Sequence, residues 1–157
     1  MTIFIFEGSH TFSTESSARD DEARMTTDHR TEYAVQLGNV FARWQFDHFG
    51  VLTFDEDVDG EFALQETKRW VRRIEKLGGG KVWWLASAEI GDQGRLHAHV
   101  LTLNTAGLPD SWLADAWHLG RPDVEKCADS GRSARYVVKF AGTPRLIDYR
   151  FDLPPLR

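Results

Sequence analysis

The sequence predicts an α+β fold, a central antiparallel sheet with helices on one face, and three observations carry the prediction. From residue 50 onward the patterning reads strand, helix, strand, strand, helix, strand, helix, an order that closes one sheet under a helical layer. Lys81–Glu89 and Arg95–Asn104 are both strand-like and flank the turn residues Ile90-Gly91-Asp92-Gln93-Gly94, which is a hairpin signal. The chain has 157 residues and 41% hydrophobic content, a single-domain length with enough apolar material for one core.

Taken in order, residues 2–6 alternate weakly, as a short strand would. From Glu7 to about Glu32 the composition turns to Ser, Thr, Asp, Glu and Arg with few large apolar residues, the pattern of a loop or mobile segment. Leu37, Val40, Phe41 and Trp44 recur at helical spacing, and Thr27 or Asp28 would cap an early start of that helix. Val51–Phe54 is a short β-rich run ended by acidic residues. Residues 61–77 form the clearest helix. Thr67, Trp70, Val71, Ile74 and Leu77 share a face, Lys68, Arg69, Arg72, Arg73 and Lys76 line the other, and Gly78-Gly79-Gly80 stops it. After the hairpin, Leu108-Pro109-Asp110-Ser111 starts a helix to about Trp117. Arg121–Cys127 reads as a strand and Arg132–Ala141 as a helix ended by Gly142-Thr143-Pro144. The tail, with Pro154 and Pro155, reads as extended.

Bulk properties narrow the classes. No apolar run approaches the roughly 20 residues of a membrane span, and the short apolar start lacks the basic residues of a signal peptide. A lone cysteine, Cys127, leaves no internal disulfide and fits a reducing, cytoplasmic compartment. The net charge of −5 argues against nucleic-acid binding through overall charge, though not against a local basic patch.

The chemistry concentrates in Arg95-Leu96-His97-Ala98-His99. Side chains alternate across a strand, so His97 and His99 point to one side. With the hairpin paired symmetrically about its loop, Glu89 falls opposite Arg95 and diagonally beside His97. Val82, Trp84, Ala86, Ala88, Leu96, Ala98 and Val100 then make the other face wholly apolar. Two imidazoles and a carboxylate suit Mn²⁺, Zn²⁺ or a partly hydrated Mg²⁺ and leave positions open for a substrate oxygen. A His-x-His strand also fits hydrogen-bonded surface groups. A cupin would want a glutamate within Val100–Asn104, where none stands, and His118 or Glu125 would be the nearest substitutes. A second constellation follows. On a helix, Arg132, Arg135, Tyr136 and Lys139 share the polar stripe, placing a phenol among three cations that favour phenolate and would hold a phosphate. Taken alone, Tyr136 also fits a half-exposed ring stacked on its arginines.

Together, in this order, the motifs resemble the HUH endonuclease family, most closely the small replication-initiator nucleases with a single catalytic tyrosine. Phe49-Gly50-Val51-Leu52-Thr53-Phe54 is similar to the family's first-strand motif. Glu89 with His97-Ala98-His99 resembles its metal motif, and Tyr136-Val137-Val138-Lys139 its Tyr-x-x-Lys motif. The resemblance covers roughly residues 49–141 and implies a ferredoxin-like or RRM-like nuclease domain over 49–157, with 1–48 an N-terminal extension, partly flexible with one helix. It further implies a divalent ion, Mn²⁺ or Mg²⁺, on His97, His99 and Glu89. Tyr136 would be the nucleophile that nicks and rejoins single-stranded DNA at an origin hairpin or loop, with Lys139 orienting the phosphate, and rolling-circle replication the outcome. Arg95, Arg132, Arg135 and Trp83 are the expected DNA contacts, Trp83 by stacking on unpaired bases. An insertion-sequence transposase of the same superfamily and a non-catalytic nucleic-acid-binding domain of this fold are the alternatives. The absence of a Walker loop excludes a helicase domain from this chain.

Overall fold

A computed structural model of the chain describes residues 32–156. The expectations for residues 2–6, for the polar stretch before Glu32 and for a cap at Thr27 or Asp28 lie outside those residues. The first helix, α1, occupies 32–41 of the described chain. It is followed by β1 (His48–Thr53), α2 (Gly60–Gly78), β2 (Trp83–Ile90), β3 (Leu96–Leu103), α3 (Asp110–Asp115), β4 (Pro122–Lys126), α4 (Ser130–Val137) and β5 (Leu146–Asp152). Local chemistry sets the ends of α2. The Asp59 carboxylate accepts the Phe62 backbone N–H, and Gly79 closes the helix in the left-handed region at φ 69°, where a side chain would be strained.

The strands form one antiparallel sheet in the order β4-β1-β3-β2-β5. Strands β1 to β4 with α2 and α3 make a split β-α-β unit repeated once, the arrangement expected of a ferredoxin-like domain. The hairpin register differs from the symmetric one. The loop closes through a Gly91 N–H donated to the Arg95 carbonyl, so Glu89 pairs directly with His97 rather than with Arg95. The pairing shifts by two residues, which preserves which residues share a face.

The helical layer is fuller than a single-face arrangement. On one side, Leu52, Trp84, Ala86, Ala98 and Val100 of the sheet pack against Leu64, Trp70 and Ile74 of α2 and Leu113 of α3. Trp70 donates its indole N–H to the Leu113 carbonyl and so ties the two helices together. On the other side, Leu85 and Leu101 pack with Ala34 and Phe41 of α1, Phe46, and Ala134 and Val137 of α4. The odd-numbered residues of β2 and β3 are therefore polar only at the hairpin end and apolar further along, and that apolar half needs its own helical cover. Each buried Leu, Ile or Val contributes about 1.5–3 kcal/mol, so both layers matter to stability.

Two further differences shape the site. The helix expected over 132–141 ends at Val137. The chain then tightens, Lys139 N–H reaching the Tyr136 carbonyl and Ala141 N–H that of Val138. The extended tail is a paired strand: β5 supplies the hydrogen-bond partners that the buried β2 needs on its outer edge.

Candidate metal centre and the residues around it

Three strands bring the polar groups to one end of the sheet. Registers Val51↔His99 and Thr53↔His97 on one side of β3, and Ser87↔His99 and Glu89↔His97 on the other, put all six residues on the same face. The carboxylate oxygen Oε1 of Glu89 lies 2.7 Å from His99 Nε2 and 3.1 Å from His97 Nε2, and the two Nε2 atoms are 3.1 Å apart. These three donor atoms are the one group among the described residues placed to share a metal ion. Their spacing fits. Metal–nitrogen bonds of about 2.1 Å at right angles separate two donors by about 3 Å.

Burial makes the cluster demanding. Glu89 and His99 are each 2% exposed, and Glu89 Oε2 and His99 Nδ1 have no hydrogen-bond partner among the described residues. An unpartnered buried carboxylate oxygen beside two imidazoles is what a cation would satisfy. Burial pushes the Glu89 carboxyl up. Hydrogen bonds from His97 and His99, with the charges of His99 and Lys139, outweigh it and hold the group well below the usual carboxylate range. Burial is the largest influence on His99 and lowers it, against the pull of Glu89, the direction that favours the neutral, metal-binding form of the imidazole. A Glu-His-His group of this composition could hold a metal ion, and the residues present fit one.

Tyr136 stands beside the cluster, 46% exposed. Its ring meets the His99 imidazole edge-on, with centroids 5.1 Å apart, and Phe49 stacks on His99 from the sheet side at 5.8 Å. The Lys139 ammonium sits 3.3 Å from the Tyr136 ring centroid and 3.4 Å from Glu89 Oε1. The tight turn after Val137 is what carries Lys139 over the ring. Five of the expected residues, Glu89, His97, His99, Tyr136 and Lys139, are thus one assembly.

The expected DNA contacts are placed less uniformly. Arg95 is exposed at the edge of a cleft that reaches His97. Arg132 and Arg135 are exposed on α4, Arg135 lying against Gly38 of α1. Trp83 is on the same face of β2 but six residues from Glu89, about 20 Å along a strand, and its ring lies under Lys81. His118 lines a separate cleft beside Trp112, and Glu125 pairs opposite Phe49 on β4; neither joins the cluster.

Parity in the sequence puts Ser87 on the face of Glu89 but gives it no role; it lies opposite His99 with its hydroxyl buried and without a partner among the described residues. Sequence reading missed buried His48, whose Nδ1 meets the Thr105 hydroxyl at 2.8 Å and whose Nε2 meets Asp110 at 3.1 Å. This chain of contacts ties β1 to the start of α3 on the face away from the metal ligands, and no local motif announces it.

Gly91 sets the position of His97. A Cβ at Gly91 would stand 2.9 Å from His97 Cε1, so Gly91→Ala is expected to displace the imidazole while sparing the core. Titration calorimetry with Mn²⁺ should show weakened binding at an almost unchanged melting temperature; wild-type affinity would mean that His97 does not need this contact.

Among the described residues no helix is long and apolar enough to cross a membrane. No curated protein matches the chain. Residues 47–143 match the family model of the replication-associated protein ORF2. That stretch is more than half of the chain and runs from β1 through α4, taking in the cluster, Tyr136 and Lys139. With the whole assembly inside the matched region, this chain belongs to the replication-associated protein ORF2 family.

Proposed function

We propose that the chain is an HUH-type nuclease that nicks and rejoins single-stranded DNA at a specific sequence, with Tyr136 as nucleophile, to start rolling-circle replication. The observation that carries this reading is the contact of Tyr136 with both His99 and Lys139, a phenol held against a metal-type cluster with a cation over its ring. Membership of a replication-associated family supplies the biological setting.

Glu89, His97 and His99 would hold a divalent ion, Mn²⁺ or Mg²⁺, which when bound polarises a phosphoryl oxygen. Buried Glu89 and His99 present fixed donors that need not reorganise during the reaction. The Tyr136 oxygen forms a bond to the phosphorus of the strand as the bond from phosphorus to the 3′ oxygen breaks. The phenolic proton passes through solvent to that oxygen, leaving a free 3′-hydroxyl and a 5′-phosphotyrosine. Lys139, its ammonium over the Tyr136 ring, offsets charge gathering on the phosphate. Rejoining is the reverse step, attack by a 3′-hydroxyl on the phosphotyrosine.

The test is covalent capture. Incubated with Mn²⁺ and a labelled single-stranded oligonucleotide pool of random sequence, the protein should carry label through a denaturing gel, and chelator should remove the signal. Adduct formed equally well in chelator would rule out the metal-dependent reading.

A further inference from the structure

We propose that the cleft beside His97 is the binding site for the nucleotide that leaves with the free 3′-hydroxyl. Arg95 and Arg121 would hold its backbone and Asp55 would read its base. The inference rests on the nucleophile assigned above and adds the direction in which the strand lies.

Strand register gives the direction. Along β1 and β3 the same-face pairs run Phe49↔Leu101, Val51↔His99 and Thr53↔His97, each step about 6.6 Å. Tyr136 contacts Phe49 and His99, at one flank of the cluster. At the opposite flank, Thr53 and His97 open into a cleft of about 420 Å³ walled by Asp55, Arg95, Arg121 and the Gly91–Gln93 turn. Displacement at phosphorus is in line, so the leaving oxygen departs on the side away from the attacking one. With Tyr136 at the His99 flank, the departing 3′ oxygen and its nucleotide point toward the cleft. The other product, linked to Tyr136 through its 5′-phosphate, stays at the α4 side.

The cleft has the chemistry for this. The chain carries a net charge of −5, yet neither Arg95 nor Arg121 forms an ion pair among the described residues, and both are exposed. The backbone of Arg121 is pinned to β1 by hydrogen bonds in both directions with Thr53, so its side chain starts from a fixed point. Two unpaired guanidiniums on a fixed frame suit phosphodiester oxygens. The acidic groups of the cleft differ from each other: Asp92 is held by Arg145 at 2.7 Å, whereas Asp55 has no side-chain partner among the described residues. A free carboxylate can only accept, and the edge of an unpaired guanine offers it two donors side by side, the ring N1–H and the exocyclic amine. Adenine and cytosine offer the amine alone, and thymine its ring N3–H alone.

Two measurements test the proposal. In chelator, binding of fluorescein-labelled oligo-dT is followed as salt is raised, for wild type, for Arg95→Ala/Arg121→Ala and for the double lysine variant. Each lost phosphate contact on a single strand lowers the slope of log K against log salt by about 0.7, so the alanine pair should lose about 1.4 and the lysine pair almost none. An unchanged slope in the alanine pair overturns the site. In the second measurement, wild type and Asp55→Ala nick the random pool with Mn²⁺, and both product ends are sequenced. Wild type should release 3′ ends enriched in guanine, and Asp55→Ala should remove that enrichment while keeping the preference on the tyrosine-linked side. Random 3′ ends from wild type, or a loss of preference confined to the tyrosine-linked side, overturn the subsite alone. No covalent product from wild type overturns the tyrosine reading and the subsite together.

Discussion

Replacing Tyr136 with phenylalanine is expected to abolish the covalent protein–DNA product, lowering the nicking rate by about 10⁴-fold or more, the scale seen when a nucleophile is removed outright. The substitution deletes one oxygen and leaves the ring. The edge-on contacts with His99 and Phe49 and the cation over the ring need only the aromatic face, so the local packing is retained. Tyr136 is also partly exposed, and its hydroxyl makes no hydrogen bond among the described residues, so folding should be almost unaffected. The informative outcome is therefore a protein that melts like wild type, binds Mn²⁺ like wild type and forms no adduct. Normal adduct formation by Tyr136→Phe would move the nucleophile elsewhere and remove the mechanism.

The second large effect is expected from Glu89→Gln. One oxygen of this side chain lies within hydrogen-bond distance of His97 Nε2, His99 Nε2 and the Lys139 ammonium together, and its charge is the only negative one among the ligand atoms. Glutamine keeps the volume and loses the charge, so a divalent ion would face two imidazoles and an amide, with no negative ligand atom, in a buried site. Replacing groups that merely orient a ligand costs roughly 10–100-fold in metal affinity, and removing the anionic ligand itself should cost at least the upper end of that range. Titration calorimetry with Mn²⁺ reads this directly, and the adduct assay should fail in parallel. Wild-type Mn²⁺ affinity in Glu89→Gln would show that the carboxylate is structural, a partner for Lys139 rather than a ligand.

The two variants separate roles that one assay would merge. Tyr136→Phe should lose chemistry and keep the ion, whereas Glu89→Gln should lose the ion and chemistry with it. Gly91→Ala lies between them, because it moves one ligand without deleting any.

Much of this candidate site was legible in the sequence because the residues that could hold a metal sit on a hairpin. Alternation along a strand puts His97 and His99 on one face whatever the rest of the chain does. Glu89 joined them through parity alone: the hairpin is paired two residues away from the symmetric register, and a shift of two leaves every side chain on its original face. A shift of one would have paired Glu89 with Ala98 and set it on the opposite face from His97 and His99. The helical stripe expected over 132–141 likewise put Tyr136 and Lys139 on one side, although α4 itself ends at Val137.

What the local pattern could not supply is where separate elements meet. The sequence determined the strands, the long helix, the metal-ligand face and the tyrosine stripe, because each depends on spacing within a few residues. Only the tertiary structure decided that α4 crosses the sheet at His99 rather than further along. It alone revealed that Lys139 swings over the Tyr136 ring as the helix tightens after Val137, and that Arg121, just before β4, completes a cleft beside His97. It also decided that the tail becomes β5 and that His48 locks β1 to α3. The reason is physical. Periodicity records which way a side chain faces on its own element, whereas distances between elements are set by how two apolar layers close on one sheet, a property of the whole core.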